Sequence, residues 1–201
     1  TPESYSWKRH QYIKDYLGED FSKIKFVIEV GCNDGCNLFP YLQEGKTVVG
    51  CDFDEERIQI GRKFGITIHK GGIDSLLDKG YRADIVILSH VFDHLTHPGD
   101  VLEKIKKITS PSSLLYIENP GIFHNTDLIG CLRFEFTFWF ELETLKDFLS
   151  QKGFSFLIGD ETIRSLFISH QVKDFQKKMI KSRKNRCKKV LKYLHQARNK
   201  Y

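Results

Sequence analysis

The chain has 201 residues, 40% hydrophobic and 28% charged, with five cysteines. That composition suits one soluble domain with its own core; no stretch approaches the roughly 18 consecutive apolar residues of a membrane span, and no charged-then-apolar leader points to secretion. The net charge of +5 is unevenly spread, because residues 171–201 hold twelve Lys and Arg against one acid and carry +11, while the rest carries −6.

Residues 4–17 mix aromatic and charged side chains at helical spacing and stop at Gly18, so residues 1–23 read as an N-terminal helical lid. Strands are predicted over 23–30, 46–54, 65–70, 83–90 and 112–119. The near-continuous apolar run of 83–90 is what a strand buried on both faces shows. Helical patterns fill the gaps at 36–44, 55–64, 73–79 and 98–109, and Pro111 marks the end of the last. This alternation predicts an α/β, doubly wound, mostly parallel sheet. After Pro120 an aromatic-rich segment precedes a helix over 141–152, then strands over 154–160 and 164–173 that read as an antiparallel hairpin completing seven strands. Residues 1–170 are thus expected to form one domain, and 171–201 a basic helical tail.

The run Val27-Ile-Glu-Val-Gly-Cys-Asn-Asp-Gly35 breaks an apolar strand with two glycines and places Glu29, Asn33 and Asp34 around the break. In a doubly wound sheet, ligands bind where strands end and their order reverses. The usual dinucleotide fingerprint has a middle glycine; here Asn33 stands in its place, and Asp34 disfavours a pyrophosphate. A ligand with no phosphate and a charged amino acid end suits this turn better. Asp52, about twenty residues further on, can accept both hydroxyls of a ribose, and Phe53 offers a face to an adenine ring. Amino acid, ribose and adenine together describe S-adenosylmethionine.

The segments IEVGCNDG, GCDFD, ADIVILSHVFDHLTHPGDVLEKI and SSLLYIENP resemble, in order and spacing, the successive motifs of class I S-adenosylmethionine-dependent methyltransferases, over roughly residues 24–170. The Asn-Asp pair between the glycines, and the later FTFWFELETLKDFLSQKGF, look more specifically like methyltransferases of sugar and surface-polysaccharide pathways. The resemblance implies the Rossmann-like methyltransferase fold. It also implies that Glu29, Gly31, Cys32, Asn33 and Gly35 line the methionine side, Asp52 holds the ribose, Phe53, Gly72, Ile73 and Asp74 border the adenine, and Ser89 and His90 sit beside the sulfonium. Two departures stand out: Gly72 where the family often has an acid, and Phe136 where the sugar-pathway relatives often have His.

Methyl transfer needs positioning and, at an oxygen, a base. The segment 89–97 supplies His90, Asp93 and His94 as catalytic candidates, with His97 beside them. Such residues also serve as ordinary helix caps and loop ligands. No metal is assigned, although mixed nitrogen and oxygen donors suit several divalent ions. Glu118, His124 and Glu135 are candidates for binding an acceptor. Phe134, Phe136, Phe138, Trp139 and Phe140 suit a sugar-binding platform or, more simply, a strand packing on the core. The five cysteines read as reduced thiols, and Cys32 and Cys36 as small packing residues. The expected function is S-adenosylmethionine-dependent methyl transfer to a small-molecule or carbohydrate-linked acceptor, at oxygen, in the cytoplasm. The alternative is a catalytically silent module recruited through its basic tail, which suits an anionic membrane or a protein partner better than nucleic acid.

Overall fold

The computed structural model describes residues 4–123, 137–169, 186–193 and 195. The first helix, α1 (Tyr5–Leu17), is followed by a 3-10 turn over Gly18–Lys23. Then β1 (Phe26–Val30), α2 (Phe39–Gln43), β2 (Thr47–Asp52), α3 (Glu55–Lys63), β3 (Thr67–Lys70), α4 (Asp74–Leu77), β4 (Ala83–Ser89), α5 (Pro98–Lys107) and β5 (Thr109–Glu118) alternate. The helix α6 (Leu142–Gln151) and the strands β6 (Phe154–Gly159) and β7 (Ser165–Ser169) follow. The seven strands lie in the order β3-β2-β1-β4-β5-β7-β6. β1 to β5 are parallel, and β7 pairs antiparallel with both β5 and β6. This is the expected doubly wound α/β sheet with its C-terminal hairpin.

Each face of the sheet carries a core, because alternate residues of a strand point to opposite sides. Ile28, Val86, Leu115 and Ile117 join Phe92, Leu102 and Leu145 on one face. Val27, Ile85 and Tyr116 join Ile13, Phe21 and Tyr41 on the other. α1 belongs to the second face: His10 and Ile13 are buried, the His10 ring meets those of Phe21 and Tyr41, and Lys14 pairs with Glu44 at 2.6 Å.

Several boundaries differ from the sequence expectation, and two of them have a visible physical cause. α2 is shorter than the predicted 36–44, because Gly35 adopts a left-handed φ of 77° and residues 32–38 fold into turns. β5 begins at Thr109 instead of 112. The register steps from Ala83↔Thr109 to Ile85↔Leu114, a bulge that takes in Pro111, which has no N–H to give the ladder. The Ser113 hydroxyl bridges the gap, accepting from Ser110 N at 2.8 Å and donating to the Ala83 carbonyl at 2.6 Å.

Parallel register matters most for the site. It pairs Val30 with Cys51, Asp52 with Lys70, and Ser89 with Glu118. Residues far apart in sequence therefore end their strands along one edge. β1 lies between β2 and β4, so the strand order reverses there and the crevice expected of such sheets opens beside it.

Candidate active site

The turn after β1 is held by the strand beside it. Gly31 N and Cys32 N both donate to the Cys51 carbonyl, at 2.8 and 3.1 Å. Gly31 has a φ of 69°, and a Cβ there would meet Val91 Cγ2 at 2.5 Å; Gly35 has a φ of 77°, and a Cβ there would meet Ile66 Cδ1 at 2.7 Å. Both glycines are thus required first by the fold, for left-handed backbone and for packing of neighbouring apolar side chains. Asn33 is left-handed as well, with a φ of 53°, which Asn tolerates. Asp52 ties the turn down: Oδ2 accepts from Asn33 N at 2.7 Å, and Oδ1 accepts from Asp54 N at 2.9 Å. Each oxygen keeps a lone pair.

Among the residues expected to border an adenine, Phe53 is 76% exposed, and its Cζ lies 3.4 Å from where a Cβ on Gly72 would sit. A Cβ at residue 72 would thus touch this ring at ordinary contact distance. Ile73 and Cys32 are buried in the core, leaving only their backbone to face a ligand. The Asp74 carboxylate pairs with Lys104 at 2.8 Å and is turned toward α5.

Around Glu29, expected on the methionine side, the structure brings together residues from five segments. Glu29 is 1% exposed; its Oε1 accepts from Asn37 Nδ2 at 2.7 Å. Asn37 Oδ1 accepts from Arg9 Nη1 at 3.0 Å. Arg9 forks onto Glu118 through Nε at 2.7 Å and Nη2 at 2.9 Å, and Tyr116 donates to the same carboxylate at 2.5 Å. His90, left-handed with a φ of 55°, has its Nε2 3.2 Å from Arg9 Nη2. Its backbone N–H donates to the Glu118 carbonyl at 2.7 Å. Burial pushes the Glu29 carboxyl up to about 8, against the opposing pull of Asn37 and Arg9. Burial also pushes Glu118 up, but the hydrogen bonds from Arg9 and Tyr116 outweigh it and leave this carboxyl below its ordinary value.

Glu118, expected to be open to an acceptor, is therefore engaged by Arg9. Neither Arg9 nor Asn37 was among the sequence candidates. Arg9 lies 109 residues from Glu118 in the chain, and nothing in the local pattern of α1 marks it. Asn37 sits just past the recognisable turn, where periodicity suggests the start of a helix.

The loop after β4 holds the remaining candidates. Ser89 is buried at the strand end. Asp93 is 2% exposed, and among the described residues no side chain hydrogen-bonds its carboxylate. His94 Nε2 lies 3.8 Å from its Oδ1. Burial pushes the Asp93 carboxyl up, since desolvation disfavours the charged form. The Asp93 carbonyl accepts from Thr137 N and Phe138 N at 2.8 and 3.1 Å, which fastens the aromatic segment to this loop. Phe140 is buried against Phe92 at 5.5 Å between centroids, while Phe138 lies outside any strand and is 36% exposed. His124, Phe134, Glu135 and Phe136 lie outside the described residues. Among the described residues no group of three His, Cys, Asp or Glu side chains is arranged to hold a metal ion.

Residues 8–157 match the family described as methyltransferase domain. A ubiquinone biosynthesis O-methyltransferase from Bartonella bacilliformis is 23% identical over 124 residues, 54% of this chain and 50% of its own length. The chain thus spans about half the length of that curated relative. Among solved structures, a SAM-dependent methyltransferase from Archaeoglobus fulgidus superposes with a TM-score of 0.61 at 20% identity, covering 96% of this chain and 87% of that one. The plantazolicin methyltransferase BpumL, in complex with a monoazolic desmethylPZN analogue and SAH, superposes with a TM-score of 0.65 at 14% identity, covering 82% and 83%. These structures share the fold, and the family match runs from α1 into β6. The chain belongs to the class I, S-adenosylmethionine-dependent methyltransferase family.

Proposed function

We propose that the chain transfers the methyl group of S-adenosylmethionine to an oxygen of a small-molecule or carbohydrate-linked acceptor. The observation that carries this reading is the placement of Asp52. Its carboxylate anchors the glycine turn through Asn33 N while standing beside exposed Phe53, an arrangement suited to a ribose followed by an adenine. In this reading the cofactor's ammonium lies toward Glu29 and its carboxylate toward Arg9, so the two ends of the amino acid meet opposite charges. The sulfonium methyl then lies at Ser89 and His90.

The acceptor hydroxyl attacks the methyl carbon as the carbon–sulfur bond breaks, and the demethylated cofactor leaves with the electron pair. The hydroxyl proton passes to His94 or His90. Asp93, buried and beside His94, gains stability as a carboxylate when that ring becomes positive. In-line displacement on a sulfonium asks mainly for orientation, which fits a site built on strand ends.

The test is calorimetric titration with S-adenosylmethionine, its demethylated product and a nicotinamide dinucleotide, followed by turnover with labelled cofactor against hydroxyl-bearing acceptors. The first two ligands should bind and the third should not. Asp52→Ala should weaken the cofactor by about 1–3 kcal/mol by leaving the ribose hydroxyls unpaired. Unchanged affinity in a folded Asp52→Ala protein removes the assignment.

A further inference from the structure

His90 is the first residue past β4. Its backbone is left-handed, with a φ of 55°, a conformation in which His is found more often than most residues, and its N–H donates to the Glu118 carbonyl at 2.7 Å. Its ring meets two charged groups at one nitrogen. Nε2 lies 3.2 Å from Arg9 Nη2 and 3.8 Å from Glu118 Oε1. A guanidinium has donors and no acceptor, and it does not give up its proton. The contact with Arg9 is therefore a hydrogen bond only when Nε2 brings a lone pair. The carboxylate, which would favour a proton on Nε2, stands beyond hydrogen-bond reach. Of the two neutral tautomers, the geometry selects the one with its proton on Nδ1.

Arg9 is held too firmly to yield to the ring. Nε and Nη2 fork onto Glu118, Nη1 donates to Asn37 Oδ1, and the second hydrogen of Nη2 is left for His90. The fork is largely buried, and the buried Tyr116 donates to the same carboxylate. The His90 side chain is half exposed. The guanidinium, fixed in its plane by partners on β5 and in the turn before α2, thus sets the state of the ring.

We propose that Arg9 is a positioning residue that holds His90 as its Nδ1–H tautomer, so that His90 serves methyl transfer as a hydrogen-bond donor and not as the base. While Arg9 is in place, the lone pair that would take a proton at Nε2 is occupied, and Nδ1 already carries a hydrogen. Of the two rings that the methyl-transfer reading offers for the proton, His94 is left. The acceptor oxygen bonds to the methyl carbon, the sulfur keeps the electron pair of the broken bond, and the hydroxyl proton goes to a ring nitrogen of His94. The role of His90 rests on that reading; its tautomer does not.

Two-bond proton–nitrogen spectra of the full chain, labelled with nitrogen-15 at histidine, report the tautomer directly. The ring nitrogen without a hydrogen resonates far downfield of the one that bears it. The spectra are recorded above the ordinary histidine value of about 6.5, and His90 is assigned by its loss in His90→Asn. His90 is expected as Nδ1–H, whereas imidazoles in water favour Nε2–H. Arg9→Ala should return it to Nε2–H, with Glu118 then the partner facing that nitrogen. An Nε2–H signal in the unaltered protein overturns the proposal even if Arg9→Ala fails to fold, and so does an unchanged Nδ1–H signal in folded Arg9→Ala. Turnover with labelled cofactor and a reactive hydroxyl acceptor tests the role. His94→Asn should lower it by about 10²–10⁴-fold, the contribution of a positioned base. His90→Asn should cost less, because an amide still donates and Asn accepts a left-handed backbone. An equal or larger loss in His90→Asn overturns the donor role. Failure of S-adenosylmethionine to bind in calorimetry, with the Nδ1–H tautomer present, would instead overturn the methyl-transfer reading and leave Arg9's hold on His90 standing.

Discussion

Glu29 shows how one residue's surroundings change what it can do. Burial holds its carboxyl near 8, so at pH 7 it keeps its proton in the free protein. A cofactor ammonium placed beside it would favour the carboxylate. Cofactor binding at pH 7 should therefore release a proton, and affinity should rise with pH until it levels off above about 8. Calorimetry in buffers of different ionisation enthalpy measures the released proton, and Glu29→Gln should abolish it. Stability of the free protein runs the other way. The unfolded chain loses this proton from the ordinary value of 4.5, while the folded chain holds it to about 8. Stability thus falls as pH rises between these values, by at most about 1.4 kcal/mol per unit. Gly31 is constrained differently, by its left-handed φ and by Val91. Gly31→Ala should destabilise the protein by about 1–3 kcal/mol, and Val91→Ala should recover part of that loss. A double-mutant cycle by chemical denaturation with no coupling between the two would show that Val91 is not the obstacle.

At the scale of elements, α1 is what completes the site. Its apolar face docks beside Phe21 and Tyr41, which a helical pattern can anticipate. Its Arg9, however, reaches the end of β5, and the salt bridge there is only about 15% exposed on either side. Arg9→Ala would strand the Glu118 carboxylate, at a cost of about 1–3 kcal/mol. It should also weaken cofactor binding and speed hydrogen exchange across residues 5–17. Arg9→Lys should rescue little, because an ammonium cannot form the two-pronged fork. If Arg9→Ala leaves both exchange and affinity unchanged, α1 is held by its apolar face alone.

For the whole molecule, the charge division between body and tail has a structural counterpart. Helix 186–193 meets acids of the body at Asp147, Glu141 and Glu161, so part of the tail's charge is spent inside the molecule. Screening shortens from about 10 Å at 0.1 M salt to about 3 Å at 1 M. Raising salt over that range should lower the hydrogen-exchange protection of amides 186–193 several-fold while the sheet is unaffected. Equal protection at both salts would mean that apolar contacts, not ion pairs, hold the helix in place.

The alternation of apolar strands and amphipathic helices was legible in the sequence, because a parallel strand buried on both faces and a helix packed against it have different periods. The turn of Gly31 and Gly35, with Asp52 a strand later, was legible for the same local reason: both lie within one βαβ unit. The bulge at Pro111 was not, since it depends on a serine hydroxyl meeting the neighbouring strand. Nor was the partnership of Arg9 with Glu118, or the seating of helix 186–193 on the acids of the body. These join segments that approach only when the sheet order β1-β4-β5 is set, and no local periodicity encodes which distant side chain will face which. The strands, the turn and the acid that ends β2 beside it were written in local sequence. The cation beside them and the seat of helix 186–193 were decided by tertiary packing.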